Sequence, residues 1–204
     1  WELNSLSRPW LAFTALLWSL AAVHAKGYFA NEQAQAQAGD QAAQRRLLRL
    51  ALFWPLTLLG NVLLIIAQDI ASFYSGFAVM TFAAYALVVH TGTEQARLGA
   101  KAYLILAVVG EGLILGGFLW SAGAADTLTL QGVRESIVSA EHGAWMAALL
   151  CLGFGVKAGV IGLHVWLPLA HPAAPAPASA VLSGVMIKAG LLGWISVLPL
   201  GSDQ

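Results

Sequence analysis

Three ionisable side chains lie inside apolar stretches of this 204-residue chain: Glu111, Lys157 and Lys188, each near the middle of a separate hydrophobic run. A charged side chain at the centre of a bilayer costs about 2.5–3.5 kcal/mol on insertion scales, and such residues usually serve a function. Facing one another across a bundle or a water-filled cavity, the three could carry protons. The alternative is a structural Glu–Lys ion pair. We expect all three to point into the bundle, and Glu111 to reach Lys157 directly or through one water molecule.

Two histidines and an aspartate are additional candidates. His164 follows Lys157 by seven residues, so on a continuous helix it would lie on nearly the same face, about 10 Å away. A proton relay and a structural hydrogen bond are equally open for it. His171 lies in a break rich in proline, where a capping or packing role is equally open. Asp69 lies in a tight junction between two apolar runs.

The composition places the chain in a membrane. Hydrophobic residues make up 59% and charged residues only 10% of the chain, whereas a soluble domain has about 25% charged residues. The net charge is zero, so nothing favours nucleic-acid binding. Cys151 is the single cysteine, and the sequence has no GxGxxG or haem motif, so we expect neither a metal site nor a cofactor.

We therefore predict an all-α integral membrane protein with about six transmembrane helices, since a bilayer core needs about 20 apolar residues per helix. The predicted spans, in one membrane domain over residues 1–204, are about 9–29, 47–67, 70–90, 101–122, 143–166 and 177–199. The polar stretch 30–46 is expected to be a frayed helix end followed by a loop, and a short interfacial helix is expected near Leu130–Ala140. Span five should be discontinuous between about Gly155 and His171, where glycines and Pro168 interrupt it.

The basic residues favour one orientation. If the spans alternate, one side of the membrane carries most of the lysines and arginines: Lys26, Arg45, Arg46, Arg49, Arg97 and Lys101. The positive-inside rule puts the loops at 30–46 and 91–100 in the cytoplasm. The chain begins at Trp1 without a methionine, and we expect it to be an internal piece of a longer multi-pass protein.

The segment from His164 to Gly190, HVWLPLAHPAAPAPASAVLSGVMIKAG, closely resembles the signature of antiporter-like, proton-conducting membrane subunits. That family occurs in respiratory complex I, in group 4 hydrogenases and formate hydrogenlyase, and in multisubunit sodium/proton antiporters. The sequence of this segment most resembles that of the large membrane subunit of hydrogenase-4 and formate hydrogenlyase, or that of a complex I antiporter-like subunit.

The resemblance implies that the chain covers about helices three to eight of a larger inverted-repeat transporter fold in a prokaryotic inner or plasma membrane. Lys157 matches the central lysine on the family's broken helix, and Lys188 matches the lysine of the next helix. His164 and His171 match the motif histidines. The implied partners are other membrane subunits and a peripheral redox arm. The implied cargo is the proton, with Na⁺ as an alternative.

One position departs from the family pattern. The third span offers Asp69, Phe73, Phe77 and Met80 at the expected spacing, but Ala78 stands where the family has a glutamate that partners the central lysine. Alanine cannot titrate, and Glu111, one helix later, is the nearest substitute.

Three functions follow. The first is proton translocation in a redox-driven complex, with Glu111 modulating Lys157 and protons passing through His164 and Lys188; the oxidoreductase chemistry would belong to other subunits. The second is a structural module that no longer conducts, which Ala78 favours. The third is a sodium/proton antiporter subunit that works without redox chemistry.

Overall fold

The computed structural model describes residues 2–200, which fold almost entirely as helices. The helices are α1 (Ser7–Gln37), α2 (Gln41–Ile66), α3 (Ile70–Val88), α4 (Glu94–Ala125), α5 (Leu130–Ser139), α6 (Gly143–Ala158), α7 (Trp166–Ala170), α8 (Ala176–Val181) and α9 (Ile187–Val197). A π-helical segment, Leu182–Met186, joins α8 to α9. Strand-like pairing is limited, in the described part, to one isolated bridge between Asp69 and Thr129.

Four helical stretches are long and apolar enough to cross a membrane: α2, α3, α4 and the continuous run Ala176–Val197, while α6 is a shorter apolar helix. Helices satisfy every backbone hydrogen bond within one segment, which lipid demands because it offers no partners. The predicted all-α membrane fold is confirmed.

The polar end of α1 differs from the expectation. The helix continues to Gln37, so the interpretation of residues 30–37 as a frayed end was wrong. Glu32 is buried in this stretch, and both of its carboxylate oxygens accept from Arg46 Nε, at 3.1 and 2.9 Å. Asp40 then caps α2 by accepting from the backbone N–H of Ala42 at 2.8 Å. The ion pair between α1 and α2 thus holds the polar stretch helical.

We expect Arg46→Ala to destabilise this corner by about 1–3 kcal/mol, because it leaves the buried Glu32 carboxylate without its donor. Thermal unfolding of the purified protein in detergent should show a lower midpoint. Arg45→Ala is the matched control, since Arg45 directly precedes Arg46 in the sequence and its side chain is exposed. An unchanged midpoint for Arg46→Ala would show that the ion pair contributes nothing.

Four phenylalanines pack helices α3, α4 and α6 against one another. Phe73 and Phe77 of α3 pack edge-to-face against Phe154 of α6, with ring centroids 5.9 and 5.8 Å apart. Phe118 of α4 packs against Phe73 at 6.0 Å and against Phe154 at 6.2 Å. Edge-to-face pairs stabilise beyond simple burial, so α3, α4 and α6 are fixed relative to one another.

Helices α4 and α6 also approach each other closely. A Cβ added to Gly153 would lie 2.8 Å from the Gly110 carbonyl oxygen and 2.9 Å from the Ile114 backbone nitrogen. Small residues at such crossings let two membrane helices touch through their backbones. The contact lies one turn before Lys157 and brings that lysine against α4.

The predicted discontinuity of span five is confirmed. Helix α6 ends at Ala158, and Gly159 adopts φ +71°, the left-handed conformation that favours glycine. The Val160 N–H bonds back to the Gly155 carbonyl, and α7 begins only at Trp166. Regular helix therefore stops eight residues before the expected end of the span.

Candidate functional site

Lys157 lies in the last turn of α6 and is 5% exposed. Its Nζ donates to Thr81 Oγ1 of α3 at 2.9 Å and to the Tyr103 hydroxyl of α4 at 3.0 Å. The negative end of the α6 dipole also favours a cation at this place. A buried ammonium is costly unless it is hydrogen-bonded, and here two neutral hydroxyls accept from it.

Aromatic rings surround the rest of the ammonium. Lys157 Nζ lies 5.6 Å from the centroid of the Phe77 ring and 5.2 Å from that of Tyr103, within reach of a cation–π interaction. The Tyr103 hydroxyl in turn donates to the Thr81 carbonyl oxygen at 3.0 Å. Tyr103 therefore contacts both Lys157 and the backbone of α3.

Helix α7 closes the site from the far side of the break. Trp166 is 2% exposed, and its Nε1 donates at 2.9 Å to the carbonyl of Val156, which lies in the last turn of α6 and also accepts from the Gly159 N–H at 3.4 Å. Its ring packs against Tyr103 at a centroid distance of 5.2 Å. The interruption of span five thus lets the chain turn back and cover Lys157 with an indole.

Glu111 shares a small enclosed space with Lys157. The carboxylate is 4% exposed, and its Oε1 has no hydrogen-bond partner within residues 2–200. The cavity is lined by Phe77, Thr81, Tyr103, Ala107, Gly110, Glu111, Gly153, Val156, Lys157 and Trp166. It leaves about 10 Å³ for the centre of a water molecule, close to the smallest space that can hold one. Within the described residues Glu111 and Lys157 form no direct ion pair.

Lys188 lies elsewhere. It is half-buried on α9, and its Nζ lies 3.6 Å from the centroid of the Phe13 ring of α1. Together with Pro9 and Trp10, these residues line a groove of about 350 Å³. The structure does not bring Lys188 into the Lys157 cavity. Of the three ionisable residues expected to face one another, only Glu111 and Lys157 line the same cavity.

The two histidines are also outside the cavity. His164 is exposed, and its Nδ1 accepts from the Gly162 N–H at 3.2 Å. Its expected place on the Lys157 face assumed a continuous helix, and the end of α6 at Ala158 removes that basis. His171 is half-buried, and its Nδ1 lies 3.0 Å from Ser179 Oγ, a contact that ties the proline-rich break to α8.

Asp69 caps α3. Its carboxylate accepts from the Ser72 backbone N–H at 2.8 Å and from Ser72 Oγ at 2.7 Å. The backbone hydrogen bond from Ser72 holds the pKa of Asp69 below its ordinary value. These contacts support a structural role at the start of the helix that carries Thr81.

We expect Asp69→Ala to lower the free energy of unfolding by about 1 kcal/mol, the usual cost of removing an N-cap. Asp69→Asn should keep most of the stability, since asparagine caps as well as aspartate. Thermal unfolding and proton flux should be measured together. Loss of flux in a stable Asp69→Asn variant would contradict the structural assignment and make Asp69 part of the proton path.

Thr81 and Tyr103 were not among the sequence-based candidates. A signal for Tyr103 existed: Tyr103, Ala107 and Glu111 recur every four residues on α4, so they share one face. Thr81 lies four residues after Phe77 on α3, and threonines of this kind are common in apolar helices. Their contacts with Lys157 depend on how α3 and α4 meet α6, which spacing along the chain does not give.

Comparison with known proteins gives concordant results. Residues 67–203 match the family described as NADH:quinone oxidoreductase/Mrp antiporter, transmembrane. The chain is 30% identical over 196 residues to hydrogenase-4 component B of Escherichia coli, covering 96% of this chain and 28% of that protein. It is 30% identical over 151 residues to NADH-quinone oxidoreductase subunit N of Polaromonas naphthalenivorans, covering 70% of this chain and 30% of that protein.

Two solved structures have a similar fold. The Mrp complex of Dietzia sp. matches with a TM-score of 0.76 at 20% identity, over 96% of this chain and 35% of the matched chain. The membrane-bound sulfane sulfur reductase, described as an archaeal respiratory membrane complex, matches with a TM-score of 0.62 at 28% identity, over 69% of this chain and 29% of the matched chain. The chain thus spans about a third of the length of the proteins it matches.

Proposed function

The chain belongs to the NADH:quinone oxidoreductase/Mrp antiporter family of antiporter-like membrane subunits, and on this premise we propose that it translocates protons in a redox-driven membrane complex. Lys157 is the proton carrier in this proposal, and Glu111 is the acid that modulates it. The redox chemistry belongs to partner subunits, and a prokaryotic inner or plasma membrane is the proposed location.

One observation carries the proposal: Lys157 and Glu111, two buried ionisable groups of opposite charge, line one water-sized cavity without a direct ion pair. A structural ion pair gains its stability from close contact. An acid and a base that line one cavity able to hold a water molecule can exchange a proton, and the partner charge decides which form of the lysine is favoured. The geometry therefore favours proton transfer.

Lys188 and His164 would continue the proton path beyond Lys157 in this proposal. Both lie outside the Lys157 cavity in the described residues, against Phe13 and Gly162 respectively. Their role is supported by their match to the family signature in HVWLPLAHPAAPAPASAVLSGVMIKAG. Movement of α9 or hydration of the groove beside Lys188 would be needed to connect them.

The test is proton uptake by vesicles that contain the intact subunit in its assembled complex. Turnover of the complex should drive uptake in the wild type, and Lys157→Ala should remove the share that passes through this subunit. Uptake that follows a sodium gradient without redox turnover would favour the antiporter alternative.

A second candidate function is a membrane module that holds the complex together without conducting. Ala78, where the resemblance expects a glutamate, favours it, as does the placement of Lys188 away from the cavity. In that case wild-type vesicles would show no uptake that depends on Lys157.

A further inference from the structure

Neutral hydroxyl groups, and no carboxylate, accept the hydrogen bonds of Lys157 in the described residues. Thr81 Oγ1 and the Tyr103 hydroxyl lie 2.9 and 3.0 Å from Nζ, and all three side chains are buried. Glu111 lines the same cavity with a carboxylate oxygen that has no hydrogen-bond partner within residues 2–200. Thr81 therefore bonds to Lys157 and lines the same cavity as Glu111.

We infer that Thr81 is a proton-relay residue that passes a proton between Lys157 and Glu111, and that Tyr103 is the positioning residue that holds both Lys157 and α3 in place. This inference rests on the proposed function and specifies how the two charges communicate without touching. Thr81 lies one turn after Ala78 on α3, so the helix that lacks a carboxylate contributes a hydroxyl in its place.

The transfer is balanced at every atom. An N–H bond of the Lys157 ammonium breaks as an O–H bond forms on Thr81 Oγ1. The original O–H bond of Thr81 breaks as an O–H bond forms on the Glu111 carboxylate. Lysine becomes a neutral amine, glutamate a neutral acid, and threonine is unchanged, because a hydroxyl can accept and donate at once. The reverse sequence recharges both groups.

Tyr103 gives the relay its geometry. Its hydroxyl accepts from Lys157 Nζ while donating to the Thr81 carbonyl at 3.0 Å, so the ammonium, the tyrosine and the α3 backbone form one connected set. The packing of Tyr103 on Trp166 connects this set to α7, beyond the break in span five. A movement of α7 would therefore displace the acceptors of Lys157.

The test compares Thr81→Val with Thr81→Ser in the intact subunit within its complex. Valine keeps the shape and removes the hydroxyl, so proton flux should fall at least about tenfold, whereas serine should retain most of the flux. Thr57→Val is the matched control, because Thr57 is a buried threonine of α2 whose hydroxyl bonds to its own helix at Phe53.

The pH profile separates a relay from a packing role. Tyr103→Phe should move the pH midpoint of flux toward acid by about half a unit or more, because the ammonium loses one acceptor. This variant also decides the matter if Thr81→Val does not assemble. Wild-type flux and an unchanged profile in Thr81→Val and Tyr103→Phe, with Lys157→Ala inactive, would overturn the relay and leave the proposed function standing. Flux that survives in Lys157→Ala would overturn the proposed function itself.

Discussion

We expect Lys157→Ala to reduce proton flux through this subunit at least about 100-fold, the scale on which a positioned proton-transfer group contributes, while the complex still assembles. Alanine is a good helix former, and the substitution removes a buried charge that must be hydrogen-bonded to be tolerated. Of the two hydroxyls that lose their donor, that of Tyr103 keeps its hydrogen bond to the Thr81 carbonyl. Flux into vesicles, divided by the amount of assembled complex, measures the effect.

Two variants control this experiment. Lys101→Ala removes an exposed lysine from α4 and should leave flux unchanged. Lys157→Met keeps the length of the side chain without the ammonium, and it should be as inactive as alanine if charge is what matters. A conducting Lys157→Met variant would mean that the side chain fills space and carries no proton.

The second large effect on proton flux is expected from substitution of Glu111. Glu111→Gln should lower flux about tenfold, equivalent to about 1.4 kcal/mol, because a neutral amide cannot take up the proton that Thr81 passes on and cannot favour the charged lysine as a carboxylate does. Ala78→Glu should restore flux in the Glu111→Gln background. Ala78 is half-buried one turn before Thr81 on α3, and it is not among the residues that line the Lys157 cavity. Recovery of flux would show that a carboxylate at 78 reaches the cavity from this neighbouring position.

The single variant Ala78→Glu and the double variant form the decisive comparison. Ala78→Glu alone should be tolerated, because Lys157 and the nearby hydroxyls offer partners for the added carboxylate. A double variant as weak as Glu111→Gln, in assembled complex, would show that position 78 does not communicate with Lys157. In that case Glu111 has not taken over the role of the missing glutamate.

Much of the fold could be predicted from the sequence because its strongest signals are local. Apolar runs of sufficient length predict membrane helices, and Gly159 with the prolines of the following segment predicts where span five breaks. The helical state of residues 30–37 could not be predicted in this way. It depends on the ion pair between Glu32 and Arg46, two residues brought together by the turn between α1 and α2.

The candidate site could also be predicted only in part from the sequence. The burial of Glu111 and Lys157 follows from a rule about charges in apolar helices. The placement of His164 assumed helical continuity across Gly159, and the two-hydroxyl contact of Lys157 depends on the crossing of α3, α4 and α6. Spacing along one helix can give a shared face, but it does not give the partner on the next helix.

The most direct measurement of the central claim is the number of protons moved per catalytic turnover by vesicles containing the assembled complex, compared between the wild type and Lys157→Ala. A ratio depends on neither the amount of complex nor the turnover rate. If Lys157 carries protons through this subunit, the ratio falls in Lys157→Ala and stays at the wild-type value in Lys101→Ala. An identical ratio in all three would contradict the account and identify the chain as a module that supports the complex without conducting.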